Sequence, residues 1–445
     1  MKNTSQKKEL PKHPVTLKVY LLRMHNNIPL HILAEFIGVG MERLKKIEKD
    51  LEEYNEAHRE AIKKLFNIVG LPLTEQECVA FRERLYYLYS LIRDKKMDEA
   101  KAIQKELVNI DKLKPCDFEM VILCKLIEIQ LLLSEGNYIS AEDKHNLLQD
   151  DLDMMGYENL FHYNYNKGAL YVHQDCYDEG LNFFMKASEL MDDKKVLIPN
   201  ENGYLYYYIS MCYSYLGIPY HAISYWQKAK QMYPDNNTTG FILNADRGIA
   251  LNYIRTNQLK DAERLLNKCQ AKSEGLKDNA HIGVTLLFFG HMYKKAENWV
   301  AAIKYYDMAI ECLPVGTINY SASVYHKIFC VIHTRAFTKA EQLLEQAKDI
   351  FKENKVWAVY FEALGHYLKI SRSMTSYKNK TSIKYIESIA IPHFTKMHDY
   401  FIAMDYYSLL AKHHEKLKST LKSLRMIKGL NDILKRCFIG DERSA

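Results

Sequence analysis

Apolar residues recur three and four apart along almost the whole chain, the spacing of helices that bury one stripe. The stripe itself repeats. In SMCYSYLGIPYHAISYWQKAKQMYP (210–234) the marked positions are Ser210, Tyr213, Ala222, Trp226, Ala229 and Pro234. In GHMYKKAENWVAAIKYYDMAIECLP (290–314), Gly290, Tyr293, Ala302, Tyr306, Ala309 and Pro314 stand at the same offsets. Gly168, Tyr171, Gly180, Phe184 and Ala187 form another copy, and Ala250, Tyr253, Ala262, Leu266 and Cys269 a fourth. A fainter one has Ile328, Val331, Ala340, Leu344 and Ala347, and weaker ones centre on Ala100 and Ala141. A small residue early in the unit lets one helix approach its partner, and the small residue twelve later does the same from the second helix. The aromatic four further on fills the gap between units. This is the tetratricopeptide pattern, at a period of roughly 38–42 residues where 34 is usual.

Ahead of the array the pattern changes. A helix from Pro14 carries Leu17, Val19, Leu21 and Leu22, and a second from Pro29 turns Leu33, Ala34 and Ile37 inward. Gly38 suits a left-handed turn, and Val39 plugs the corner. A third helix, MERLKKIEKD, buries Leu44 and Ile47, and a closing helix carries Ala61, Ile62, Leu65, Phe66 and Ile68. This is a helix-turn-helix layout, in which the start of the third helix enters the major groove. Its candidate DNA contacts are Gly40, Met41, Glu42, Arg43, Lys45, Lys46 and Lys49, with Lys18 and Arg23 gripping the backbone from the first helix. The competing reading makes 14–69 a docking domain with solvated charges.

The predicted architecture is all-α: 1–13 a flexible N-terminus, 14–69 the helix-turn-helix domain, 70–81 a linker around Pro72, and 82–440 a right-handed tetratricopeptide superhelix. Thr74 and Glu77 read as a capping box. SRSMTSYKNKTSIKY (371–385) reads as an extended loop or broken turn, and the Lys-rich 412–436 helix as the polar cap a solenoid needs.

Composition adds limits. Net charge is +6, and residues 1–70 hold 13 Lys/Arg against 9 Asp/Glu. The nine cysteines are scattered, with no metal-ligand spacing, which suits reduced thiols in a cytoplasm. The most apolar run, VILCKLIEIQLLL (121–133), is interrupted by Lys125 and Glu128 and is too short to span a membrane. No nucleophile elbow, phosphate-cradling glycine loop or HExxH motif occurs, so no catalytic residue, cofactor or metal is expected.

LAEFIGVGMERLKKIEK (33–49), followed by repeats of about 40 residues, resembles the peptide-responsive Rap/Rgg/NprR/PlcR/PrgX superfamily, and its NprR-like branch by length and order. The resemblance implies a cytoplasmic quorum-sensing transcription regulator, a homodimer or tetramer, whose grip on operator DNA is set by a short peptide in the repeat groove. Two places depart from the family pattern: Gly40 stands where Ser or Thr usually caps, and Met41-Glu42 where a base-reading polar residue is usual. Glycine still serves as an N-cap, and Glu42 can accept from a cytosine amine.

Repeat resemblance also sets the expected groove, at fixed places of each unit's first helix. These are His162 and Tyr165; Tyr204, Tyr207 and Met211; Asn244 and Arg247; His291 and Lys294; and Tyr325. An Asn amide pairs with any peptide unit, and Arg holds a carboxylate bidentately. The rivals are a Rap-like modulator promoting dephosphorylation of a response regulator, with Gln76 or Gln104 positioning water, and a pure scaffold.

Overall fold

The computed structural model describes residues 19–20, 23–24, 27–49, 51–66, 75–108, 118–192, 201–232 and 239–438. Among them there is no strand; everything regular is helical. Lys18, the 1–13 segment, Thr74 and Ile68 lie outside the described residues. The chain divides into two compact units, Met1–Ile198 and Pro199–Ala445.

The first unit begins with the head: α1 (Leu30–Ile37), α2 (Met41–Glu48) and α3 (Glu56–Phe66). Val19, Leu33, Ala34, Ile37, Leu44, Ile47, Tyr54 and Ile62 make its core, with Val39 packed against it at the corner. Helix pairs follow: α4 (Glu75–Arg93) with α5 (Met97–Val108), α6 (Phe118–Ser134) with α7 (Tyr138–Asn146), and α8 (Tyr157–His173) with α9 (Tyr177–Asp192). The chain is already helical at Glu75, so the expected linker is shorter than 70–81.

The second unit pairs α10 (Glu201–Tyr215) with α11 (Pro219–Gln231), α12 (Thr239–Arg255) with α13 (Leu259–Leu276), α14 (Asn279–Lys295) with α15 (Trp299–Cys312), and α16 (Ile318–His333) with α17 (Phe337–Phe351). Then come α18 (Lys355–Arg372), α19 (Lys380–Tyr385), α20 (Ile391–Lys396), α21 (Tyr400–Lys416) and α22 (Thr420–Phe438). The expected loop at 371–385 is mostly helical: α18 runs to Arg372, a 3₁₀ turn covers Tyr377–Asn379, and α19 follows. Serines and lysines hid it. Ile383 and Ile386 pack on the core and supply the apolar register that a polar stretch conceals, and the inward Ser382 hydroxyl meets the His366 ring at 3.0 Å.

The small positions marked by the repeat are among the most buried of the described residues. Ala222, Ala229, Ala250, Ala262, Ala302, Ala309 and Ala340 are fully buried, and so are Ala100 and Ala141 in the weak copies. The backbone carries the period independently. Lys95, Gly136, Asp175, Gly217, Asn257, Glu297 and Arg335 all have positive φ, each at the turn inside a helix pair, about 40 residues apart. Close approach explains Gly290: a Cβ there would lie 2.4 Å from the Tyr306 ring. The all-α class with tetratricopeptide-like repeats behind a helix-turn-helix therefore holds. The terminal helix α22 differs from the expected polar cap. It leaves Leu421, Leu424 and Ile427 exposed beside its lysines.

Candidate DNA-reading head and peptide groove

Gly38 ends α1 with φ 73°, and its N–H reaches back to the Ala34 and Glu35 carbonyls. Two residues later Gly40, in extended conformation, opens α2. This sharp turn holds α2 across α1, with Leu44 and Ile47 fully buried beneath it. Met41, Glu42, Arg43, Lys45, Lys46 and Lys49 all face outward. The cations are compensated by local acids. Arg43 Nε lies 3.0 Å from Glu52, Lys46 Nζ 3.6 Å from Glu52, and Lys45 Nζ 2.9 Å from Glu42. The Lys45 hydrogen bond holds the Glu42 carboxyl below its ordinary range.

Arg23 is placed differently from its expected role. Its Nε and Nη2 donate to both Glu48 oxygens at 2.8 and 3.1 Å, and its Nη1 to the Ile28 carbonyl, with both side chains mostly buried. Burial works against the charge, and Glu48 more than restores it. Arg23 thus ties the first helix to the end of α2 and is not open to a phosphate.

The head is clasped to its own unit by two side-chain contacts from the repeats. The Tyr20 hydroxyl donates to Asp151 Oδ1 at 3.3 Å. The Lys125 ammonium donates to the Met24 carbonyl and to Asn27 Oδ1, the latter at 2.8 Å. Burial draws Lys125 down to about 8. The lysine that interrupts the most apolar run is thus a tether for the head. Its signal was visible in the sequence, as one charge inside VILCKLIEIQLLL.

The expected groove residues fall into both units. In the first, His162 and Tyr165 are core residues, 1% and 2% exposed. The His162 ring stacks edge-on against Tyr89 and Phe161, and burial alone pulls it down to about 3. Neither lines an open surface.

In the second unit Tyr204 and Tyr207 are half-buried and meet Phe241, with Tyr207 edge-on to Trp226 at 4.8 Å. Met211 packs in the same cluster. These rings form one aromatic cluster. Asn244 is exposed, and Arg247 Nη2 donates to its Oδ1, so the pair forms. Arg247, however, is 3% exposed. Its other donors reach the Leu243 carbonyl, the His281 carbonyl at 3.1 Å and the His281 ring at 3.0 Å. It locks α12 to α14, which leaves its fork engaged and not directed at a carboxylate. His281 was missed because its partner lies 34 residues away, one repeat on.

Lys294, half-buried, pairs with Asp405 of α21 at 2.9 Å and lies over the Phe329 ring. The buried Tyr325 hydroxyl meets that of Tyr406 at 3.2 Å. His291 Nδ1 meets the Tyr306 hydroxyl at 2.9 Å, and its ring packs edge-on to His326. Burial, reinforced by Lys294, lowers His291 to about 3, so it is a neutral imidazole. Asp405 and Tyr406 were not singled out by sequence, since α21 carries no strong repeat mark. Among the described residues no three His, Cys, Asp or Glu side chains converge as a metal site, and no helix is long and apolar enough to cross a membrane.

Tetratricopeptide-like repeats behind a helix-turn-helix define the fold, and solved structures resemble most of the chain. The chain is similar to the apo form of the quorum sensor NprR from B. thuringiensis, at 19% identity and TM-score 0.65, covering 79% of this chain and 98% of that one. It is similar to a Rap protein complexed with competence and sporulation factor, at 14% identity and TM-score 0.68, covering 81% and 99%. It is also similar to the aspartyl phosphate phosphatase F of Bacillus subtilis, at 17% identity and TM-score 0.52, covering 83% and 97%. The chain shares the fold of these NprR and Rap structures. No protein-family model and no curated protein matches it.

Proposed function

We propose that the chain is a cytoplasmic, homodimeric transcription regulator whose DNA binding is set by a short signalling peptide held against its repeats. It is not an enzyme in this reading. The observation that carries it is the outward face of α2, where Arg43, Lys45 and Lys46 stand exposed above a buried Leu44 and Ile47. Met41 and Glu42 at the start of α2 are the candidate base-edge contacts, with Gly40 bringing the backbone close and Lys49 on the flank. Structures similar to this one include NprR bound to its cognate peptide NprX, which supports a peptide partner. Among the expected groove residues, Tyr204, Tyr207, Met211, Asn244, His291 and Lys294 keep accessible surface and are the proposed peptide contacts.

A second reading is favoured by the likeness to Rap proteins and to an aspartyl phosphate phosphatase. The chain would then bind a response regulator and promote its dephosphorylation, with Gln104, half-buried on α5, positioning water. Two assays on one preparation separate them: retention of random-sequence duplex DNA across a salt series, and phosphate loss from a phosphorylated receiver domain. The regulator reading expects duplex binding that weakens with salt, and a Lys46→Ala variant whose salt slope is shallower than that of wild type. Accelerated phosphate loss without duplex binding would establish the rival.

A further inference from the structure

The second unit closes on itself through its C-terminal helix pair. α22 packs beside α11, near the unit's start. α21 lies along the side shared by α12, α14, α16 and α18. One face of α21, carrying Phe401, Asp405 and Tyr406, meets all four. The Arg255 guanidinium of α12 sits 4.9 Å over the Phe401 ring. Lys294 of α14 pairs with Asp405. The Tyr325 hydroxyl of α16 meets that of Tyr406, and Tyr367 of α18 packs edge-on to the Tyr406 ring at 5.2 Å. Where a peptide would lie in an open groove, the chain has placed its own helix.

Asp405 is the charge centre of that contact. It raises the tyrosines around it, Tyr306, Tyr325 and Tyr367 among them, secondary to burial. Lys294 is its counterpart, lowering His291 and His326 beyond the effect of burial. The His326 Nδ1 atom is buried with no partner. The Asp405 side chain is one-third exposed, so solvent reaches the pair from one side.

The two sides of the contact differ in their place in the array. Lys294 and Arg255 belong to helices packed between others in mid-array, whereas α21 belongs to the last pair. If α21 swings out, the groups left behind are both cations, in a site walled by aromatic rings. With α21 away, Lys294 keeps an aromatic wall on one side, where a ligand's anion is held more strongly than in open solvent. The ligand that stabilises the opened unit must therefore bring an anion. We infer that Lys294 is a carboxylate receptor, and that the ligand of the second unit is an acidic peptide whose carboxylate takes the place of Asp405. The inference rests on the peptide-receptor reading and names the ligand's charge. Asp405 then acts as an internal competitor, and release of α21 is the change that the ligand stabilises.

The test uses three synthetic heptapeptide pools with a fluorescent N-terminus: one with a fixed Asp or Glu, one neutral and C-terminally amidated, one with a fixed Lys or Arg. Binding to the full chain is read by anisotropy for wild type, Asp405→Asn, Lys294→Met and Lys294→Arg, each checked for native melting. Wild type should prefer the acidic pool. Asp405→Asn should bind that pool at least about tenfold tighter and exchange the amide hydrogens of α21 faster without ligand. Lys294→Met should lose the preference, and Lys294→Arg should retain it. Equal or better binding of the basic or neutral pool by wild type overturns this inference while leaving the peptide reading intact. No binding of any pool to wild type or Asp405→Asn overturns both.

Discussion

His162 shows how a single side chain can be misread from its place in a repeat. Its offset marks it as a groove residue, yet it is fully enclosed by Tyr86, Tyr89 and Phe161. Offsets fix which way a helical residue points, not whether another helix covers it. Burial lowers its folded-state pKa from the ordinary 6.5 to about 3. The unfolded chain therefore binds a proton that the folded one refuses. Stability is complete above about pH 6.5 and is lost as pH falls toward 3, by about 1.4 kcal/mol per pH unit for this group. A His162→Phe variant should keep the fold and show a shallower loss of melting temperature between pH 7 and 5 than wild type. Identical acid dependence would mean that the ring is hydrated and protonates freely. Arg247 and Tyr325 carry the same lesson: their types were chosen for ligand contact, but each is directed to a partner in a neighbouring helix.

At the level of elements the repeat decides almost everything. The small positions of each helix pair were legible, because an alanine or glycine at fixed spacing has no other use than close approach. Gly290 is the sharpest instance. The Tyr306 ring fills the space a methyl group would need, and its hydroxyl is held by His291. Gly290→Ala should cost about 1–3 kcal/mol through overpacking. Gly275, near the end of α13 with nothing within 4 Å, is the matched control. Gly275→Ala should be neutral or stabilising by up to about 1 kcal/mol. Paired melting curves check both, and equal effects would remove the close-packing argument. What sequence did not yield is also physical. α19 and the turn before it are rich in serine and lysine, so their helical character comes from the partner they pack on. α21 was unmarked because its contacts are long-range: Lys294 and Asp405 are 111 residues apart. Its Phe401 and Asp405, four apart on one face, were the only local hint.

For the molecule as a whole, the helix-turn-helix was legible in outline, from Ala34, Gly38 and the Leu44–Ile47 spacing. Its coupling to the repeats was not, because Lys125 and Asp151 reach it from helices far along the chain. The acids around α2 also change the expectation for DNA. Glu52 and Glu42 neutralise part of the cationic face, so affinity should lean on base contact and on two heads bound together more than on bulk charge. The most direct test of the account is in vitro selection from a random duplex pool with the intact chain at physiological salt. The account predicts enrichment of a two-fold symmetric motif with half-sites about one helical turn, 34 Å, apart, and loss of that motif in Arg43→Ala. A pool that stays random, or a motif that Arg43→Ala selects equally well, would contradict it.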